Sequence, residues 1–240
     1  MLKLALSYST MTIYLSMEKT FNQSKSWIYR AVGLLSFNGG FVNSITFESF
    51  FHNPVGYVTG NITFAASYLS SFDIKMFIGA ITAIGTFLLG SILSGVIMPH
   101  GNFERNNKYN LIFQIEALLI FIGMIGLILN IPTSKYLLSI ALGLQNGSTS
   151  YYGKSIIRTT HMTGTMTDLG IMLAHKFIKK HDIPFWRINI YLCLLLGFFI
   201  GSILGVMAFH IFSYTALTIS CLICLAMVKF NFIKTPNNNN

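Results

Sequence analysis

Two polar stretches interrupt an otherwise apolar chain of 240 residues. The first, GFVNSITFESFFHNPVGYVTGN, runs from Gly40 to Asn61; the second, GLQNGSTSYYGKSIIRTTHMTGT, runs from Gly143 to Thr165. Their side chains suit recognition better than bond-making. Asn43, Thr59, Gly60 and Asn61 in one stretch, and Gln145, Asn146, Thr163, Gly164 and Thr165 in the other, offer amides, hydroxyls and approachable backbone. An amide both donates and accepts, so such a set can hold a polar solute from several sides. The spacing repeats: Asn43 to Thr59 is 16 positions (59 − 43) and Asn146 to Thr163 is 17 (163 − 146). Glu48, His161 and Asp168 add ionisable groups in or beside apolar runs, which makes them candidates for ion or proton coupling.

Each candidate also has a plainer reading. Asn38, Asn43, Gln145 and Asn146 can serve as interhelical hydrogen-bond partners, worth about 0.6 kcal/mol each on average. Glu48 sits near the end of its apolar run, where a carboxylate can reach water. Glu116 enters another run near its start, where a structural role is as plausible as a functional one. Arg158 and Asp168 are a conceivable pair, although ten residues (168 − 158) is too far for one helix face without a break.

The elements that must position these residues are membrane helices. Hydrophobic residues make up 53% of the chain and charged residues only 10%, with mean hydropathy +0.62. A soluble domain carries roughly 25% charged residues. The net charge of +9 could suggest nucleic acid, but the basic residues fall between apolar runs, as the positive-inside rule requires. Nucleic-acid binding is therefore excluded as a reading. Cys193, Cys221 and Cys224 lie within apolar runs and read as small buried hydrophobes. There is no G-x-S-x-G elbow, H-E-x-x-H pair, Walker loop or Cys/His cluster. The chain is read as a non-enzyme, with no catalytic residue, metal or cofactor assigned.

Along the chain, residues 1–26 form an expected N-terminal cytoplasmic segment without the cleavage pattern of a secretory signal. Met17 stands as an alternative start. Residues 27–131 read as one membrane repeat and 132–232 as a second, followed by a disordered tail at 233–240. Each half runs in the same order: a span with G-x-x-N, an interrupted segment with T-G, a Gly-rich span and a plain span. Gly90-Ser91-Ile92-Leu93 matches Gly201-Ser202-Ile203-Leu204, which extends the likeness beyond the two opening stretches. Gly197, Gly201 and Gly205, four apart, mark a face for close helix packing.

The expected fold is an all-α, polytopic membrane helix bundle built from an internal duplication. Six full spans plus two broken or re-entrant T-G segments are favoured over eight spans. With the N-terminus inside, six spans place 14 basic residues inside and 2 outside, against 12 and 4 for eight spans. Six spans make the repeats inverted, an arrangement that builds transport sites from broken helices near the midplane.

G-F-V-N with V-T-G-N, then G-L-Q-N and R-T-T-x-M-T-G-T-x-T-D-L-G, resemble the YoaK family of bacterial integral membrane proteins, a domain-of-unknown-function family, over about residues 28–228. The resemblance implies a small multi-pass protein of the bacterial cytoplasmic (inner) membrane and no established substrate. The family usually carries Asp in its first motif, where this chain has Asn43. The functional expectation is a small-molecule transporter or permease with a polar site between the repeats. The alternative is a non-transporting accessory, sensor or structural protein. The expected partners are the lipid bilayer and a small polar solute. Whether copies of the chain form a homo-oligomer stays open.

Overall fold

The computed structural model describes residues 25–49, 54–98, 108–152 and 157–229. The N-terminal segment through residue 24 with the Met17 start, the 99–107 loop carrying Glu104 and Arg105, and the 233–240 tail lie outside the described residues. Helices account for almost all of the rest, and no strand occurs among the described residues.

The first half holds α1 (Lys25–Glu48), α2 (Val58–Ser70), α3 (Ile74–Ile97) and α4 (Lys108–Ile128). The second holds α5 (Lys135–Tyr152), α6 (Met162–Leu173), α7 (Phe185–Phe212) and α8 (Leu217–Lys229). Local chemistry sets the breaks. Pro54 follows the end of α1, and its carbonyl accepts from the Tyr57 N–H and from Asn61 Nδ2 at 3.2 Å each. Asp73 caps α3 by accepting from the Met76 N–H at 3.1 Å. Ser213 (φ 52°) stops α7 and turns the chain into α8.

Three stretches are long and apolar enough to cross a bilayer: Ile74–Ile97, Lys108–Ile128 and Phe185–Lys229, the last comprising α7 and α8. Their outward faces carry Leu88, Val96, Ile122, Phe199 and Ile211, all large, apolar and exposed, as a lipid-facing surface requires. The sequence reading called for six full spans. α1 and α5 fall outside the three because they carry the buried polar side chains Ser36, Asn38, Ser139 and Gln145, which lower their hydropathy.

Helix direction follows from contact register. Gly197, Gly201 and Gly205 of α7 lie against the backbone at Gly33, Phe37 and Phe41 of α1, so these helices run parallel. Tyr136, Gly143 and Gly147 of α5 meet Gly79, Phe87 and Ser94 of α3, again parallel. By contrast, Cys221 of α8 reaches Ala117 of α4 while Thr218 reaches Met124, so α4 and α8 run antiparallel. The main core cluster joins α1, α4, α5 and α8 through Phe41, Val42, Ile45, Ile120, Leu138, Leu142, Leu217 and Cys224.

The two halves make the same bonds in the same places. Ser36 Oγ lies 3.0 Å from Thr159 O and 2.7 Å from Leu194 O; Ser139 Oγ lies 3.2 Å from Val55 O and 2.9 Å from Ala83 O. Ser91 Oγ donates to Gly143 O at 3.2 Å, and Ser202 Oγ to Gly40 O at 3.5 Å. Gly90 and Gly201 sit flush against the Ile140 and Phe37 carbonyls, where any Cβ would collide with backbone.

Candidate functional site

The short helices are where the matched bonds converge. After α1 ends at Glu48, the chain turns back along it. The Val55 N–H reaches Thr46 Oγ1 at 3.4 Å and the Gly56 N–H reaches Asn43 Oδ1 at 2.9 Å. α2 therefore begins at the level of Asn43 rather than beyond the end of α1. In the second half the Thr160 N–H and Thr159 Oγ1 both donate to Asn146 Oδ1 at 3.1 Å, and Asn146 Nδ2 donates to Thr160 Oγ1. α6 likewise begins at the level of Asn146. α2 is about 20 Å long, and α6 with the π-helical turn Ala174–Ile178 that continues it about 25 Å. α8, at 13 residues, is as short as α2, so what sets α2 and α6 apart is their start at the level of Asn43 and Asn146 rather than their length.

Neither helix has a side-chain cap: Tyr57 and His161 precede them without bonding the first turn. The first intrahelical bonds run from the Asn61 N–H to Tyr57 O and from the Thr165 N–H to His161 O. The preceding N–H groups of Val58, Thr59 and Gly60, and of Met162, Thr163 and Gly164, are the donors a helix start leaves open. The glycines of both T-G pairs have a definite job. The Tyr57 ring lies over Gly60 and the His161 ring over Gly164, each where a Cβ would stand. A side chain at either glycine would push the ring away.

Both helix starts open into one cavity of about 710 Å³, within the usual range for small-molecule sites. The first half contributes Asn43, Gly56, Tyr57, Val58 and Thr59, and the second contributes Asn146, Arg158, Thr160, His161 and Thr163. Ser91 of α3, Ser150 of α5 and the apolar Phe87 and Phe198 complete the wall. Among the described residues a carboxylate–imidazole contact, ionic only when His210 is protonated, joins Glu48 to His210 at 3.7 Å. Arg158 forms no ion pair with Asp168 and presents its charge, half-buried, at the cavity. Among the described residues the lining offers one fixed cation, an imidazole and two sets of helix-start N–H groups, with no carboxylate. That is chemistry for an anionic or strongly acceptor-rich solute.

Of the residues singled out from sequence, Asn43, Thr59, Asn146, Arg158, Thr163 and His161 line this cavity. The others lie elsewhere. Asn61 is fully buried against Pro54, Thr165 bonds back to His161 O at 2.9 Å, and Gly60 and Gly164 sit beneath their rings. Gln145 points into the bundle, donating to Leu35 O at 2.9 Å and Thr159 Oγ1 at 2.6 Å. Glu48 pairs with His210 away from the cavity, and exposed Asp168 accepts from Tyr191 Oη at 3.2 Å. Tyr57, Ser91 and Phe198 were not picked out from sequence. For Tyr57 a signal existed: it lies three residues before Gly60, as His161 lies three before Gly164.

A family model described as "Protein of unknown function (DUF1275)" matches residues 31–229. That range nearly coincides with the stretch over which the motifs resemble an uncharacterised membrane-protein family. No curated protein and no solved structure matches the chain.

Proposed function

Because the chain belongs to the DUF1275 family, described only as proteins of unknown function, we propose its activity from the cavity itself: a membrane transporter that moves a small anionic solute. The observation that carries this reading is the meeting of two uncapped helix starts, one from each half, with Arg158 and His161 around one cavity. Each helix start contributes roughly half a positive charge, effective where water is excluded.

The topology that goes with it has six crossings, α1, α3, α4, α5, α7 and α8, with α2 and α6 entering and leaving by one face. The antiparallel α4 and α8 favour this over eight crossings, in which those two helices would run the same way. The halves are then inverted repeats of one duplicated unit, supported by the matched serine and asparagine bonds. Alternating access would rock one half against the other around a fixed site, as in other transporters of inverted repeats. The distribution of basic residues supports an N-terminus inside, and the resemblance to the YoaK family supports a bacterial cytoplasmic membrane.

A test is uptake by the purified full chain in lipid vesicles, with radiolabelled phosphate, sulfate, lactate and glutamate as anions and glycerol as neutral control. Uptake of at least one anion, lost in Arg158→Gln, is the expected result. Glycerol uptake alone would overturn the anionic preference, and no uptake of any probe would overturn transport.

One observation favours a second reading, a structural or accessory membrane protein. The Asn43 and Asn146 oxygens are already engaged by backbone N–H groups, so these amides hold the returning segments in place whatever the cavity binds.

A further inference from the structure

The most deeply buried carboxyl in the described bundle lies outside the cavity. Glu116 of α4 is 0% exposed, and its Oε2 has no hydrogen-bond partner among the described residues. Its Oε1 accepts from Asn38 Nδ2 of α1 at 3.1 Å. No cation is paired with it among the described residues. A carboxyl placed this way is costly and calls for a reason.

From Glu116 a continuous polar chain leads to the cavity wall. Asn38 Nδ2 also lies 3.1 Å from Gln145 Oε1 of α5. Gln145 Nε2 donates to Thr159 Oγ1 at 2.6 Å, and Thr159 Oγ1 donates to Asn146 Oδ1 at 3.1 Å. Asn146 Nδ2 then reaches Thr160, which lines the cavity. The link has slack at one point. The Asn38 amide has two hydrogens but three acceptors in reach: Glu116, Gln145 and, at 3.6 Å, Cys224 Sγ. Its oxygen is occupied by Ser220 Oγ. A change in the charge of Glu116 would change the competition for the Asn38 hydrogens, and Gln145 connects Asn38 to Thr159 and Asn146.

We propose that Glu116 is the coupling carboxyl of this protein, exchanging one proton with water and passing its state to the cavity through Asn38, Gln145, Thr159 and Asn146. This deepens the transport reading and rests on it only for its consequence, proton-coupled movement of the solute. The step is a simple protonation: one Glu116 oxygen takes a proton from water when the bundle opens and returns it on the other side. A proton fits where a metal ion does not. A hard cation wants roughly six oxygens, and here Oε1 faces an N–H donor while the Asn38 and Gln145 oxygens already accept.

The titratable groups packed round this position are the Cys221 and Cys224 thiols of α8, with Tyr214 of the 213–216 turn farther along α4. Among the described residues of α1 and α5, amides, hydroxyls and apolar groups face it; Tyr29 and Arg30 lie about two turns from Asn38 toward the start of α1, Glu48 at its end, and Lys135 and Tyr136 at the distant start of α5. On α4 itself, Lys108 and Tyr109 lie at its beginning, two turns away.

Infrared difference spectra of the full chain in lipid vesicles, stepped between about pH 10 and pH 6 so that the water-exposed carboxyls stay ionised throughout, test the site. The C=O band of a protonated carboxyl should appear in the native chain, vanish in Glu116→Gln and return shifted in Glu116→Asp. Its persistence in Glu116→Gln, or its absence from the native chain, overturns the proposal. If the Gln variant does not fold, the shifted band of the Asp variant decides. A pH-insensitive fluorophore at Ser150→Cys, in a Cys193→Ala, His161→Asn background, reports the link to the cavity. Its emission should shift with the pH step and lose that shift when Glu116→Gln is added; an unchanged response overturns the coupling. If none of the labelled anions is taken up by the native chain while both signals stand, it is the transport reading that falls.

Discussion

Asn146 accepts hydrogen bonds at one oxygen from both the Thr160 N–H and Thr159 Oγ1, each at 3.1 Å. It thereby fixes the point at which the chain stops returning along α5 and begins α6. Asn43 does the same for Gly56 with a single bond at 2.9 Å.

Removing these carbonyls should therefore destabilise the protein unequally. Asn43→Leu leaves one backbone N–H unserved, a loss of about 1–3 kcal/mol. Asn146→Leu strands two donors and the Thr160 contact, so its loss should be larger. Thermal unfolding in detergent, followed by size-exclusion fluorescence, ranks the two. Equal midpoints would contradict this ranking.

The T-G glycines make a different prediction. Gly60→Ala and Gly164→Ala displace only a ring, Tyr57 or His161, from its place beside the cavity. Unfolding midpoints should stay near the native value while uptake of any labelled anion that the native chain takes up falls severalfold. A large loss of stability without a change in uptake would make the rings packing elements instead.

Close helix approach can be probed with a contrasting pair. Gly201→Leu puts a side chain into the Phe37 carbonyl and should abolish the monodisperse folded protein. Gly33 has open space where its Cβ would stand, although it lies on the same interface. Gly33→Ala should be tolerated, or stabilise α1 by about 0.5–1 kcal/mol. Expression and thermal stability of both variants check this.

Topology is decided by two exposed positions, Ser71 after α2 and Asp182 before α7. Six crossings put them on opposite faces, whereas eight put them on the same face. Single cysteines at each, in a chain without the native three, should differ in labelling by an impermeant maleimide on intact cells. Labelling of both from one side would exclude inverted repeats.

Much of this protein was determined by sequence alone, wherever the cause is local. The helical class follows from long apolar runs, the interruption after α1 from Pro54, and the close α1–α7 contact from glycines four apart. The likeness of the two halves was visible in Asn43 and Asn146 and in the two G-S-I-L runs, because matched surroundings call for matched side chains. The aim of each polar group was decided only by the tertiary structure. Gln145 and Asn146 are adjacent, yet one faces the bundle and Asn38 while the other faces the cavity. Neighbours on a helix point about 100° apart, and which of them meets a partner depends on how α1, α4 and α5 pack. The same holds for Glu116, whose place near the start of an apolar run suggested an interface. Antiparallel packing of α8 and the closeness of α1 and α5 bury it completely, turning a marginal carboxylate into the central polar group of the bundle.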